Sequence, residues 1–241
     1  MPAGRIYQNT ELAVDQLLSL SEAASHYLIR VLRVQLGDRV VIFNGTGGEY
    51  QASIETLSKR SVIVRLVEFH HVDSESPLDL ELGQALLRGD KMDLVIQKAV
   101  ELGVRVITPL LTERVSIKLQ SDRLQKRLHH WRGVAISACE QSGRCVIPVV
   151  GCPVDVSEWV NSSKTPGFVA SPQAKRSLPK TINGTQARVL IGPEGGLSSN
   201  DIEHCQPEVW CQFSMGPRIL RTETAAISAM TMMQMQWGDL H

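Results

Sequence analysis

Arg218, Arg221 and Glu223 lie within six residues of one another, at a turn that runs into a helix start. Residues of these types can do acid–base and anion chemistry: a carboxylate can take a proton, and a guanidinium beside it favours a developing anion. They belong to the segment Met215-Gly216-Pro217-Arg218-Ile219-Leu220-Arg221-Thr222-Glu223-Thr224. About twenty residues earlier, Leu190-Ile191-Gly192-Pro193-Glu194-Gly195-Gly196-Leu197-Ser198 forms a second glycine-rich turn and adds Glu194. Each Gly-Pro pair turns the chain sharply, and the missing Cβ atoms let a ligand lie against bare backbone. Two such turns at strand ends can wall in one flat ligand. The competing reading is structural: a salt bridge among Arg218, Arg221 and Glu223, with Thr222 and Glu223 serving the helix start.

Spacing excludes several other sites. No Gly-Lys-Ser/Thr follows Gly192–Gly196, so the turn is not a phosphate loop, and no Gly-x-Gly-x-x-Gly follows a strand. Gly-x-Ser-x-Gly is absent, which removes the serine-nucleophile elbow. The five cysteines, Cys139, Cys145, Cys152, Cys205 and Cys211, form no Cys-x-x-Cys pair, and His70-His71 and His129-His130 lack a matched third ligand. No metal is expected, and the cysteines read as reduced thiols. The four methionines Met230, Met232, Met233 and Met235 read as helix packing.

The elements that must position these residues fall into two patterns. The first seventy or so residues are β-rich, with strands expected at Arg39–Phe43, Glu49–Thr56 and Ser61–Phe69 and a short helix from Ser21 to about Val31. Asn44-Gly45 signals a hairpin, and the set suggests a small barrel. The polar stretch His71–Pro77 is the expected boundary. Beyond it, strands and helices alternate: Leu78–Leu87, a helix from an Asp90 N-cap to Leu102, Val104–Leu110, a long helix Asp122–Glu140, Val146–Val150, a short helix Val154–Val160, Gly167–Ala170, Ala187–Ile191, Glu208–Met215 and the helix Thr222–Trp237. Such alternation predicts a mostly parallel α/β sheet with ligands at the carboxyl ends of its strands, where both glycine-rich turns fall.

Net charge is zero over 241 residues, which argues against a generally basic nucleic-acid coat. The charge is unevenly spread, since residues 76–145 carry 11 basic and 8 acidic side chains. The apolar runs are far too short to span a membrane, and Met1–Arg5 leads into no secretory signal. A cytoplasmic protein without membrane association is expected.

Four segments carry a family resemblance: Lys91–Gly103 (KMDLVIQKAVELG), Ala138–Arg144 (ACEQSGR), Leu190–Ser198 (LIGPEGGLS) and Met215–Ala226 (MGPRILRTETAA). In that order they resemble the bacterial 16S ribosomal RNA uracil-N3-methyltransferases, the RsmE branch of the SPOUT methyltransferases. Arg30-Val31-Leu32-Arg33 followed by Gly37-Asp38 resembles the same family's RNA-binding barrel. Met215 stands where many members carry leucine, an exchange of similar apolar volume. The resemblance implies a PUA-like β-barrel over 1–72 and a trefoil-knotted α/β SPOUT domain over 73–241. It implies a homodimer, S-adenosyl-L-methionine as methyl donor, and 16S rRNA in the 30S subunit as partner. The cofactor would be held by Leu190, Ile191, Gly192, Pro193, Gly195 and Gly196, by Met215, Gly216, Ile219 and Leu220, and by a third wall at Val169 and Ala170.

Methylation at uracil N3 needs that proton removed. Glu194 or Glu223 could be the base, and Arg218 or Arg221 could stabilise the anion; the residues alone do not choose. Arg30 and Arg33, three apart on a short helix, can share a face toward phosphate. Arg5, Arg88, Lys91 and Arg144 complete the expected RNA contacts. Two rivals stand beside this reading: a SPOUT enzyme acting on another RNA atom, and an RNA-binding protein without turnover.

Overall fold

A computed structural model describes residues 2–115 and 121–241. The chain separates into two compact units, residues 1–75 with 139–147 and residues 76–138 with 148–241. This differs from a single boundary after residue 72, because 139–147 return to the first unit. Thr46 bridges to Val146 there, and Arg144 forms a forked ion pair with Glu75 at 3.1 Å and 2.5 Å. These long-range contacts leave no local signature in the sequence.

In the first unit, β1 (Arg5–Tyr7), β2 (Leu17–Ser19), β3 (Arg39–Phe43), β4 (Glu49–Leu57) and β5 (Val62–His70) form one sheet in the order β1-β3-β4-β5-β2. β1 runs parallel to β3, and the other pairs are antiparallel. Alternate residues face inward: Val40 and Ile42, Ala52 and Ile54, and Val62, Val64 and Leu66 share one core. The far end of β5 is more open than its apolar composition suggests, with Val67 and Phe69 exposed.

The expected helix from Ser21 to Val31 changes character midway. Ser21 caps α1 (Glu22–His26) by accepting from the Ala24 N–H, but the next turn, Tyr27–Leu32, is π-helical. Arg33 ends it in the left-handed conformation, with φ 53°. A π-helical turn bonds i to i+5, so residues three apart no longer share a face as they do on an α-helix. Arg30 and Arg33 are both exposed, but the helical reason for pairing them fails.

The second unit contains β6 (Asp79–Ala85), α2 (Lys91–Glu101), β7 (Val106–Leu111), most of α3 (Ser121–Ser142), β8 (Val149–Val150) and β9 (Val154–Asp155). It continues with α4 (Val156–Asn161), β10 (Gly167–Ala170), β11 (Gln186–Ile191), α5 (Ser199–Glu203), β12 (Trp210–Phe213) and α6 (Thr222–Trp237). The strands form a fully parallel sheet in the order β12-β10-β11-β6-β7-β8, with β9 also paired to β7. Asp90 stands at the α2 N-cap without a side-chain cap bond, and α5, with its Ser198/Asp201 capping box, is an additional element. Val146 lies outside the strand expected from it; only Val149–Val150 joins the sheet. No helix among the described residues is long and apolar enough to cross a membrane.

The sheet's core contains one charge. Arg188 on β11 is 1% exposed, donates to Glu81 on β6 at 3.1 Å, and stacks 4.0 Å over the Trp159 ring. Burial lowers its pKa, and the Glu81 carboxylate works against that shift. Gly83 and Gly167 make the arrangement possible, since a Cβ would lie 2.4 Å from Trp159 at the first and 2.3 Å from Trp210 at the second. Removing one partner of a buried pair strands the other charge. Arg188→Ala is therefore expected to destabilise the protein by about 3 kcal/mol, the low end of the range because Glu81 keeps some solvent contact. Denaturant unfolding measures this; a loss below about 1 kcal/mol would refute it.

Candidate active site

The sheet order explains why two turns distant in sequence meet. β10 lies between β11 and β12, so the glycine-rich turns leaving β11 and β12 flank the carboxyl end of β10. Together they enclose a cleft of about 590 Å³, with walls from Val169–Ala170, Ile191–Leu197 and Met215–Leu220. A cleft of this size suits a ligand of nucleoside dimensions. All the residues expected to hold a cofactor border it except Leu190, whose side chain is fully buried in the core. Strand alternation turns Leu190 away.

The glycines serve different ends. Gly196 and Gly216 have φ of +71° and +108°, values that L side chains rarely adopt, and their Cβ directions are nearly open. Gly192 is not in that region: a Cβ there would sit 3.0 Å from the Leu197 backbone nitrogen. Its constraint is the tightness of the turn itself, and not room for a ligand as the sequence suggested.

Thr222, the first residue of α6, ties the turns together. Its hydroxyl donates to the Gly192 carbonyl at 2.6 Å and accepts from the Gln84 side-chain amide at 3.3 Å. Gln84, at the end of β6, is fully buried. Arg221 occupies the N-cap without a side-chain bond, so neither Thr222 nor Arg221 acts as a side-chain cap.

The charges divide into an engaged set and an open set. Lys91, the first residue of α2, places Nζ 3.3 Å from Glu194 Oε1 and 3.7 Å from Glu223 Oε2. The salt bridge expected among Arg218, Arg221 and Glu223 is therefore not the one formed. Burial would raise the Glu194 pKa, but its own backbone N–H, Lys91 and the Arg88 backbone outweigh this, and the net direction is downward. A depressed carboxylate is ionised at neutral pH, and its pair with Lys91 is lost only as pH falls through the lowered value. Glu223 Oε2 is buried with no hydrogen-bond partner among the described residues. Arg218 and Arg221 border the cleft, both exposed, without side-chain hydrogen bonds or ion pairs among the described residues.

Arg114, on the loop after β7, was not legible beforehand. Its Nη1 donates to the Gly195 carbonyl at 2.8 Å, and it lines both the cleft and an adjoining hollow of about 430 Å³ that Arg88 also borders. Only the rule that sheet ligands gather at carboxyl strand ends points to that loop. The other expected RNA contacts scatter. Arg5 is paired with Glu49 and lies over the Phe43 ring, and Lys91 is engaged with carboxylates. Arg144 is 3% exposed and paired with Glu75, which makes it a structural residue of the first unit and no surface contact.

Comparison with known proteins agrees with this geometry. An RNA methyltransferase domain model matches residues 74–234, and an RNA methyltransferase PUA domain model matches residues 20–67. The ribosomal RNA small subunit methyltransferase E of Buchnera aphidicola (Schizaphis graminum strain) is 37% identical, the match covering 98% of this chain and 97% of that protein. The protein of the same name from Neisseria gonorrhoeae, solved bound to S-adenosyl methionine, superposes with a TM-score of 0.91 at 33% identity over 99% of each chain. A Legionella pneumophila protein solved with the bound cofactor SAM gives 0.93 at 40% identity over 98% of each chain.

Thr222→Val, which keeps the shape but deletes the hydroxyl, leaves the Gly192 carbonyl and the Gln84 amide short of a partner. It is expected to cost about 1–3 kcal/mol in denaturant unfolding. Thr222→Ser should cost much less; equal losses in the two variants would assign the effect to the methyl group instead.

Proposed function

The chain belongs to the ribosomal RNA small subunit methyltransferase E family, and from that premise we propose that it methylates N3 of one uridine in 16S rRNA of the small subunit, using S-adenosylmethionine. Its architecture is the SPOUT-type α/β methyltransferase fold preceded by a PUA domain. One observation carries the activity: two glycine turns and the end of β10 close a cleft whose rim bears Arg218 and Arg221, neither of them paired among the described residues.

The residues present fit the donor. Its adenosine would lie against the backbone of Gly192–Gly196 and Met215–Leu220, where Val169, Ile191 and Leu197 supply apolar surface. When bound, this group supplies an electrophilic methyl. The chain's own residues then have two tasks. One is to hold the target base, which must leave its stack to enter a cleft of this kind. The other is to manage the N3 proton: Glu223 or Glu194 would accept it, and Arg218 or Arg221 would favour the resulting anion at a carbonyl oxygen.

Docking is assigned to the first unit, with the exposed Arg30 and Arg33 as phosphate contacts, and to Arg88 beside the cleft. Arg5 and Lys91 support this role less well because each already faces a carboxylate. A homodimer in the cytoplasm completes the reading. Its support is apolar surface left open on the second unit, where Ile219 and Met235 are 87% and 64% exposed.

Small subunits from a strain lacking this gene, incubated with the protein and S-adenosylmethionine, should gain 3-methyluridine by nucleoside mass spectrometry. A ribose-methylated product, or none, would overturn the assignment. Glu223→Gln should lower turnover about 10²-fold with stability nearly unchanged. Wild-type rates across the pH range would move the base role to Glu194. Replacing Arg30 and Arg33 by alanine should flatten the salt dependence of rRNA binding by up to about two phosphate contacts, leaving cofactor affinity unchanged. An identical slope would return both to ordinary surface charge.

A further inference from the structure

Three charged side chains from three separate elements meet beside the cleft, where Lys91 and Glu194 are part of its lining. Lys91 comes from the start of α2, Glu194 from the first glycine turn, and Glu223 from the first turn of α6. Lys91 is the only cation within ion-pair distance of either carboxylate among the described residues. Arg114 is committed to the Gly195 carbonyl, while Arg218 and Arg221 line the cleft without reaching Glu194 or Glu223. The remaining groups facing Glu194 are its own backbone N–H and that of Arg88. Glu223 is more dependent, because its Oε2 is buried and, among the described residues, Lys91 is the one cation within ion-pair distance of it.

A lysine with this surrounding is poorly suited to hold an RNA phosphate. Turning outward would leave two carboxylates together, one with a buried oxygen that no other donor reaches, and an uncompensated buried charge is costly. We propose that Lys91 is a positioning residue of the active site, whose ammonium holds Glu194 and Glu223 side by side as two carboxylates and so sets the spacing between the two turns. This rests on the methyltransferase reading for its consequence in turnover, but not for its electrostatics.

The sign follows from geometry. Removing the cation takes away an interaction that favours the charged form of Glu194, so that carboxylate must bind its proton more tightly. Carboxylate carbon NMR of the full chain, free of substrate, provides the direct test. Lys91→Met should raise the Glu194 titration midpoint by about one unit, a tenfold change in proton affinity, whereas Lys91→Arg should leave it nearly unchanged. Lys91→Gln, which keeps a neutral donor, gives the same reading if the methionine variant fails to fold.

In turnover, Lys91→Met should lower kcat, by up to about tenfold once the pH falls well below the raised midpoint, with KM for the small subunit and its salt slope unchanged. Arginine should restore the wild-type profile. Unmoved NMR midpoints overturn the proposal, as does a flattened salt slope with unchanged kcat, the mark of a phosphate contact. If the wild-type protein methylates nothing, the proposed activity fails, while the titration still decides the role of Lys91.

Discussion

The Thr222 hydroxyl is the smallest contact in the cleft and the one on which its shape depends. It joins the carbonyl of Gly192 to the buried amide of Gln84, so the start of α6, the first glycine turn and the end of β6 are held at one point. Because Thr222 and Gln84 are buried, neither side chain can turn to water for compensation. Arg221 and Glu223 flank Thr222 in sequence and inherit its position. Glu194 lies two residues from Gly192 and inherits the other half. A neutral hydrogen bond thus fixes the backbone that carries the catalytic candidates, and Lys91 Nζ stands within ion-pair distance of both carboxylates.

What the sequence made legible was local. Gly-Pro turns and the bounds of α2, expected between Asp90 and Leu102 and found at Lys91–Glu101, are set by backbone chemistry over a few residues, and that chemistry can be read without coordinates. The strand–helix alternation likewise announced a parallel sheet. Four features were hidden because their causes are distant. Arg144 resembles any basic surface residue until Glu75, 69 residues away, is seen beside it. Arg114 reaches the cleft from across the sheet, with 81 residues separating it from Gly195. Leu190 belongs to a cofactor motif by sequence and to the core by pleat. The π-helical turn at Tyr27–Leu32 replaces the regular helix that its composition favours, and the sequence carries no local break that would explain it.

Two ion-pair designs coexist in the second unit. Arg188 and Glu81 sit within the sheet, where tryptophan faces and further donors surround the pair: Trp159 Nε1 and Thr108 Oγ1 both bond to Glu81. That network specifies one packing of β6 against β11, although Arg188 Nη1 is buried there without a hydrogen-bond partner among the described residues. The Lys91 cluster is the opposite case. One ammonium serves two carboxylates, while Arg218 and Arg221 line the cleft without an ion-pair partner among the described residues. Incomplete compensation costs stability and is characteristic of sites that must change protonation or accept a partner.

The contact between Thr222, Gly192 and Gln84 also has a kinetic meaning. Residues 84, 192 and 222 come from widely separated parts of the chain, whereas the β3–β4–β5 hairpins of the first unit join near neighbours in sequence. Loop closure penalises the first kind of contact far more than the second, so the cleft is among the last parts of the molecule to form. A chain whose parallel sheet has assembled but whose α6 has not docked has no cleft to offer. Any ligand of that cleft selects only the finished fold and stabilises it by mass action, so occupancy serves as a check on maturation.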